Sequence, residues 1–275
     1  FLREARSSAA VRHENVVSIY AVDDDPTPYL VMEYIPGKTL QERLDEYGPL
    51  DLSEVLRLGK QIADGLAAAH AEQLIHRDVK PGNILLETSI DDHVKITDFG
   101  LARAADDASM TQSGMIAGTP LYMAPEQALG QKLDQRADLF SLGSVLYQML
   151  TGRPPFRARN TLAVLKRVTE DTPRPIQEVI PEIPGWMCEI VARLHAKDPD
   201  DRYASATEVS KVLEYCLLEL QQGRLPNVSA FTASTIIPAK PSHSTASETA
   251  SRKSLKAMAA VVLILLFCLG ITEAT

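Results

Sequence analysis

The sequence predicts an α+β fold in which a short, strand-bearing front gives way to a mainly helical body. Three patterns carry that expectation. An apolar run is closed by Pro36-Gly37, two short β-type runs face each other at residues 84–86 and 94–96, and two long stretches repeat apolar residues at helical spacing.

In order, Tyr29-Leu30-Val31-Met32-Glu33 reads as a buried strand. Asp51-Leu-Ser-Glu54 resembles a capping box, and Val55, Leu58, Ile62, Leu66 and Ala69 then line one face of a long core-facing helix. Ile84-Leu85-Leu86 and Val94-Lys95-Ile96 form a hairpin turning near Asp91-Asp92. From Asp138, residues Leu139, Leu142, Val145, Leu146, Met149 and Leu150 line a helix apolar almost all round, which belongs in the middle of a helical body. Gly152 and Pro154 end it.

With 275 residues, 45% of them hydrophobic, the chain can bury the core of one large domain or two lobes. Its net charge of -8 argues against nucleic acid as the main partner. Cys188, Cys216 and Cys268 are odd in number and widely spaced, which suggests neither a disulfide framework nor a zinc site and fits a reducing cytoplasm.

Chemistry concentrates in three linked motifs. Residues 76–83 read H-R-D-V-K-P-G-N; Asp98-Phe99-Gly100 follows 15 positions after Asn83, and Ala124-Pro125-Glu126 comes later. An acid, a lysine, an amide and a second acid could together hold a nucleotide triphosphate and its metal against a hydroxyl. One H-R-D triplet would say little; three motifs in order say much.

On these motifs the chain resembles the eukaryotic-like serine/threonine protein kinases, particularly the membrane-anchored bacterial kind, over residues 1–222. The resemblance implies a two-lobed, protein kinase-like fold, with a partial N-lobe holding the C-helix and following strands, and a complete, mainly helical C-lobe. The expected divisions are 1–36 for the N-lobe remnant and hinge, 37–222 for the C-lobe, 223–254 for a flexible juxtamembrane linker and 255–272 for a transmembrane helix.

It further implies transfer of the γ-phosphoryl of ATP, with Mg²⁺, to serine or threonine hydroxyls of protein substrates. Asp78 would be the base and Lys80 a charge at the transferred phosphate, with Asn83 and Asp98 as metal ligands. In the family, a lysine two places after the aspartate goes with serine/threonine specificity. His76 is expected to pack near Phe99 rather than move protons. Met32 resembles a gatekeeper, the backbones of Glu33 and Ile35 would bond adenine, and Leu85 would close the other face of the ring. For Met32 and Leu85 by themselves, ordinary core packing is the better reading.

Arg77 would pair with phosphate on the following segment, where Thr111 and Ser113 are expected activating sites. Phosphorylation of one copy by another would bring two copies together as a dimer. Glu126 and Arg202 match a family ion pair that ties this segment to the helical lobe. Glu4 matches the C-helix glutamate whose usual lysine partner, with the Gly-rich phosphate loop, lies upstream in the family; neither occurs here. The chain is therefore read as part of a longer protein, inactive as this segment alone, and a kinase-like binding scaffold without transfer is the rival reading.

Residues 223–254 shift to Ser, Thr, Ala and Pro, too poor in large apolar groups to offset the entropy of ordering. The 16 uncharged, mostly apolar residues 257–272, extended by Leu255 and a snorkelling Lys256, approach the length of a membrane span. Arg252, Lys253 and Lys256 before them, and only Glu273 after, orient the kinase side to the cytoplasm of a single-pass cell-membrane protein.

Overall fold

The fold is described from a computed structural model, which defines residues 2–25, 27–88, 92–99 and 120–229; the side chains of residues 2–4 are not described. The chain divides into units Phe1–Ser234 and Thr235–Thr275, and the described residues all lie in the first.

Helix α1 (Leu2–Ser8) leads into strands β1 (Ile19–Asp23) and β2 (Tyr29–Met32), an antiparallel pair in which Ile19 opposes Met32. The expected buried strand is a correction here. Tyr29, Val31 and Met32 are 43%, 44% and 41% exposed. Their side chains are apolar, but among the described residues the sheet has only two strands. Burial comes from the layer packed on a strand, and strand propensity cannot supply that layer.

Beyond the connector, β3 (Gly37–Thr39), β4 (Ile84–Glu87) and β5 (His93–Ile96) form a second antiparallel sheet in the order β3-β4-β5. A Cβ on Gly37 would lie 1.9 Å from the Leu86 carbonyl oxygen, so only glycine lets the connector enter the sheet so close to β4. The hairpin β4–β5 forms as its sequence implied, with Ile84 opposite Ile96.

Helix α2 (Leu40–Tyr47) starts at a complete capping box between Thr39 and Glu42. Helix α3 (Leu52–Ala71) starts at Asp51, whose carboxylate accepts the Glu54 amide at 2.9 Å; Glu54 itself reaches Arg43 at 3.5 Å. Val55, Leu58, Ile62, Leu66 and Ala69 are fully buried, as their spacing required.

Among the described residues five further helices follow: α4 (Pro125–Ala128), α5 (Arg136–Thr151), α6 (Thr161–Glu170), α7 (Gly185–Leu194) and α8 (Ala206–Gln221). Helix α5 is buried from Ala137 to Thr151 and stops where Gly152 takes a left-handed φ of 72°. Helix α3 packs most extensively on α8, and both share one core with α5 and α7. Past α8, Val228 returns to that core and the Asn227 amide donates to the Tyr215 hydroxyl at 3.2 Å, so ordered packing runs into the stretch expected as linker.

One buried group makes this body acid-sensitive. His195 accepts or donates a 3.0 Å bond with the Ser144 hydroxyl and lies 5.1 and 5.4 Å from the Phe140 and Phe156 rings. Burial, then the Lys197 and Arg202 charges, push its pKa down from 6.5 to about 3. Between those values the unfolded chain binds the proton that the folded chain refuses, so this site's contribution to stability falls as pH drops below about 6.5 and is constant above. From pH 7.5 to 5.5 the loss from this one site is about 1.4 kcal/mol. Urea unfolding at the two pH values should show it in the wild type and not in His195→Asn; equal pH differences in both proteins would contradict the assignment.

Candidate active site

The H-R-D segment follows α3 directly, and its backbone is held from below. Asp138, in the first turn of α5 and fully buried, accepts the amide of His76 through Oδ2 and the amide of Arg77 through Oδ1, both at 2.8 Å. His70 Nε2 lies 2.7 Å from the same Oδ2. The Arg77 carbonyl accepts Gln127 Nε2 at 2.8 Å. Those bonds hold Arg77 at a φ of 69°, a left-handed conformation that a non-glycine residue keeps only when its surroundings fix it.

Both ring nitrogens of His76 are spent on backbone. Nε2 meets the Thr97 carbonyl at 3.0 Å and Nδ1 accepts the Asp78 amide at 3.3 Å, which fixes the proton on Nε2. The ring also lies 4.5 Å from that of Phe99, centroid to centroid. Neither nitrogen is left for proton transfer, in agreement with the packing role expected of it.

Above this floor three side chains converge. Asp78 Oδ2 receives Lys80 Nζ at 2.5 Å and Asn83 Nδ2 at 2.9 Å, and Asn83 Nδ2 also bonds the Asp78 carbonyl at 2.9 Å. Asn83 is buried in a 3-10 turn (Pro81–Asn83), while Asp78 and Lys80 keep 37% and 39% of their side chains exposed. Asp98 arrives from β5: the Thr97 amide donates to the Asn83 carbonyl at 3.0 Å, which joins the two strands of residues directly. Asp98 is exposed, with a left-handed φ of 63°. Phe99 beneath it is buried, and its carbonyl accepts the Ser8 hydroxyl of α1 at 3.0 Å.

The connector residues lie nearby. Met32 lines a small cavity together with Ser8, Asp98 and Phe99. At 41% exposed it is not a core residue, and Leu85 is half-buried on the face of β4 that carries Lys95 opposite it. The core-packing reading of these two is thus corrected. The Glu33 amide donates to the Ser18 carbonyl at 2.8 Å, which leaves its carbonyl for any bond to a base. Burial raises the Glu33 pKa, but Lys95 and the Ser18 amide outweigh it and hold the carboxyl below its ordinary value. Ile35 is half-buried.

Glu126 and Arg202 meet in a bidentate pair at 2.7 and 2.8 Å with side chains 6% and 0% exposed. The Glu4 side chain and residues Gly100, Thr111 and Ser113 lie outside the described parts, as do residues 255–272. Among the described residues no helix is long and apolar enough to cross a membrane.

Sequence reading placed Asp138 in an apolar helix and gave it no task, although an acid at the head of such a helix is a buried-polar signal. Gln127 and Lys95 carried no local signal, because their partners lie 50 and 62 residues away.

Comparison with known proteins agrees with this geometry. The family model described as "Protein kinase domain" matches residues 1–214. The chain belongs to the protein kinase family. It is 38% identical over 247 residues to the probable serine/threonine-protein kinase PknB of Bifidobacterium longum, covering 86% of this chain and 35% of that protein. It is 42% identical over 222 residues to the serine/threonine-protein kinase PknL of Mycobacterium tuberculosis, covering 80% and 55%. Such relatives place it among the bacterial eukaryotic-like serine/threonine kinases, and it spans about a third of the length of the first of them. The crystal structure of the Mycobacterium tuberculosis PknI kinase domain matches with a TM-score of 0.62 and 26% identity, covering 77% of this chain and 76% of that one. The kinase-like α+β fold is therefore the one observed.

Proposed function

We propose that the protein transfers the γ-phosphoryl of ATP to serine and threonine hydroxyls of other proteins. The observation that carries the reading is the Asp78, Lys80 and Asn83 cluster, braced from below by Asp138 and bonded through Thr97 to the residue before Asp98.

Each residue then has a task that its contacts suit. Asp78 Oδ2 is occupied by Lys80 and Asn83, so Oδ1 faces the acceptor hydroxyl, orients it and takes its proton. Lys80 carries a mobile charge to the transferred phosphate. Asn83 gives its amide hydrogens to Asp78, which turns Oδ1 into a donor for a hard cation, and the exposed Asp98 carboxylate supplies the second oxygen. One carboxylate plus one amide oxygen fits Mg²⁺, which keeps most of its shell as water and substrate phosphate. Among the described residues no group of three acidic, histidine or cysteine side chains forms a metal cage, and this chemistry requires none. Bound Mg²⁺ would neutralise charge on the phosphates.

The base of ATP would lie between Leu85 and the connector, against the backbone of Glu33 and Ile35 and beside Met32. On position alone, Thr111 and Ser113 are proposed as activating sites answered by Arg77, and residues 255–272 as the single membrane anchor of a cytoplasmic kinase domain. Protein at its natural length, incubated with γ-labelled ATP and Mg²⁺, should yield phosphoserine or phosphothreonine on acid hydrolysis, and Asp98→Ala should yield none. Label that survives Asp98→Ala, or wild-type protein that binds partners without ever transferring label, would overturn the proposal.

A further inference from the structure

We propose that Lys95 and Glu33 form a positioning pair that sets ATP affinity by fixing the connector against the strand that ends at Asp98. The inference rests on the kinase reading above.

Lys95 Nζ lies 2.9 and 3.0 Å from the two carboxylate oxygens of Glu33, so the ammonium is shared by both. Oε2 also accepts the Ser18 amide at 3.1 Å, while the Glu33 amide returns a 2.8 Å bond to the Ser18 carbonyl. Glu33 is thus clamped by side chain and main chain together. The pair is only 12% and 25% exposed, unlike the lysine–carboxylate pair Lys166–Glu170 at 70% and 62%. Exposed pairs hold little because water screens them and two long side chains must be ordered; this one is sheltered and held by a second donor.

What Lys95 does to Asp98 follows from the bonds between them. Ile96 donates to the Asn15 carbonyl at 2.9 Å and accepts the Val17 amide at 2.9 Å, and Thr97 donates to the Asn83 carbonyl. Backbone pinned on both sides does not absorb a shift, so the connector and Asp98 keep one spacing while the ion pair holds. A nucleotide whose base meets the connector and whose phosphates meet Asp98 reads that spacing as affinity. A pair serving stability alone would change melting and leave nucleotide affinity untouched.

The test uses Lys95→Met, Lys95→Arg and Glu33→Gln in protein at its natural length. KM for ATP, kcat and KM for the protein acceptor are measured for each, together with melting temperature. Lys95→Met and Glu33→Gln should each raise KM for ATP by about three- to tenfold, with kcat for Lys95→Met within about twofold; the double variant should be no worse than either single one. Lys95→Arg, which keeps a bidentate donor, should restore most of the affinity. If Lys95→Met does not fold, Glu33→Gln, which keeps an oxygen for the Ser18 amide, carries the same comparison. Unchanged KM for ATP, equal effects of Arg and Met, or a kcat change without a KM change would overturn the pair. Transfer that persists in Asp98→Ala would instead overturn the kinase reading on which it stands.

Discussion

Asp78→Ala should lower kcat by about 10² to 10⁴-fold, the usual worth of a positioned acid–base group, with little change in KM for ATP. On the proposed reading two functions are lost together: the oxygen that would meet the acceptor hydroxyl, and the anchor that Lys80 and Asn83 share on Oδ2. The loop itself should survive, because its backbone hangs on Asp138, His76 and Gln127, which the substitution leaves in place. Asp78→Asn separates the two contributions. Its amide oxygen can still accept from Lys80, but it has neither the charge nor the basicity to take a proton. Initial rates at saturating ATP should place Asp78→Asn close to Asp78→Ala, with both proteins melting near the wild type. An Asn variant with wild-type kcat would remove Asp78 from the chemistry.

Arg202→Ala should cost about 3 to 5 kcal/mol of folding stability, because it strands the buried Glu126 carboxylate. The guanidinium is fully used: Nε donates to the Ala196 carbonyl, Nη1 to Glu126 and the Arg136 carbonyl, and Nη2 to Glu126 and the Lys197 carbonyl. It also lies 5.1 Å over the Phe140 ring. The pair, shielded from solvent, ties α4 to the turn before α8. Replacing both partners by apolar residues of similar size should cost less than removing Arg202 alone, since both changes leave the Ala196, Arg136 and Lys197 carbonyls without this donor but only the single one strands a charge. Thermal unfolding should fall by about 6 to 20 °C in Arg202→Ala. Equal melting temperatures for variant and wild type would contradict the burial.

The elements that could be read in the sequence are those whose cause is local. Helix α3 announces itself through its Asp51 cap and five fully buried positions, and α5 through a continuous apolar surface closed by Gly152. The H-R-D and D-F-G segments were legible because their chemistry is carried by neighbouring residues, and Asp78, Lys80 and Asn83 indeed meet. What escaped depends on distant partners. Asp138 looks like one polar residue in a helix until His76 and Arg77 bring their amides to it across 62 and 61 positions. Lys95 looks like the outward residue of a strand until Glu33 is beside it. Strand β2 has the composition of a buried strand and an exposed location, since composition does not reveal how many layers a sheet receives.

On the proposed reading, Asn83 and Asp98 hold the metal of a nucleotide whose terminal phosphate faces Asp78. Crystals of the protein at its natural length, grown with Mn²⁺ and a non-hydrolysable ATP analogue, test it most directly through the anomalous signal of the metal. A metal peak should lie about 2.0–2.3 Å from Asn83 Oδ1 and from the Asp98 carboxylate, beside the phosphates. A nucleotide seated there with its metal bound to neither residue, or a metal peak elsewhere in the molecule, would contradict it.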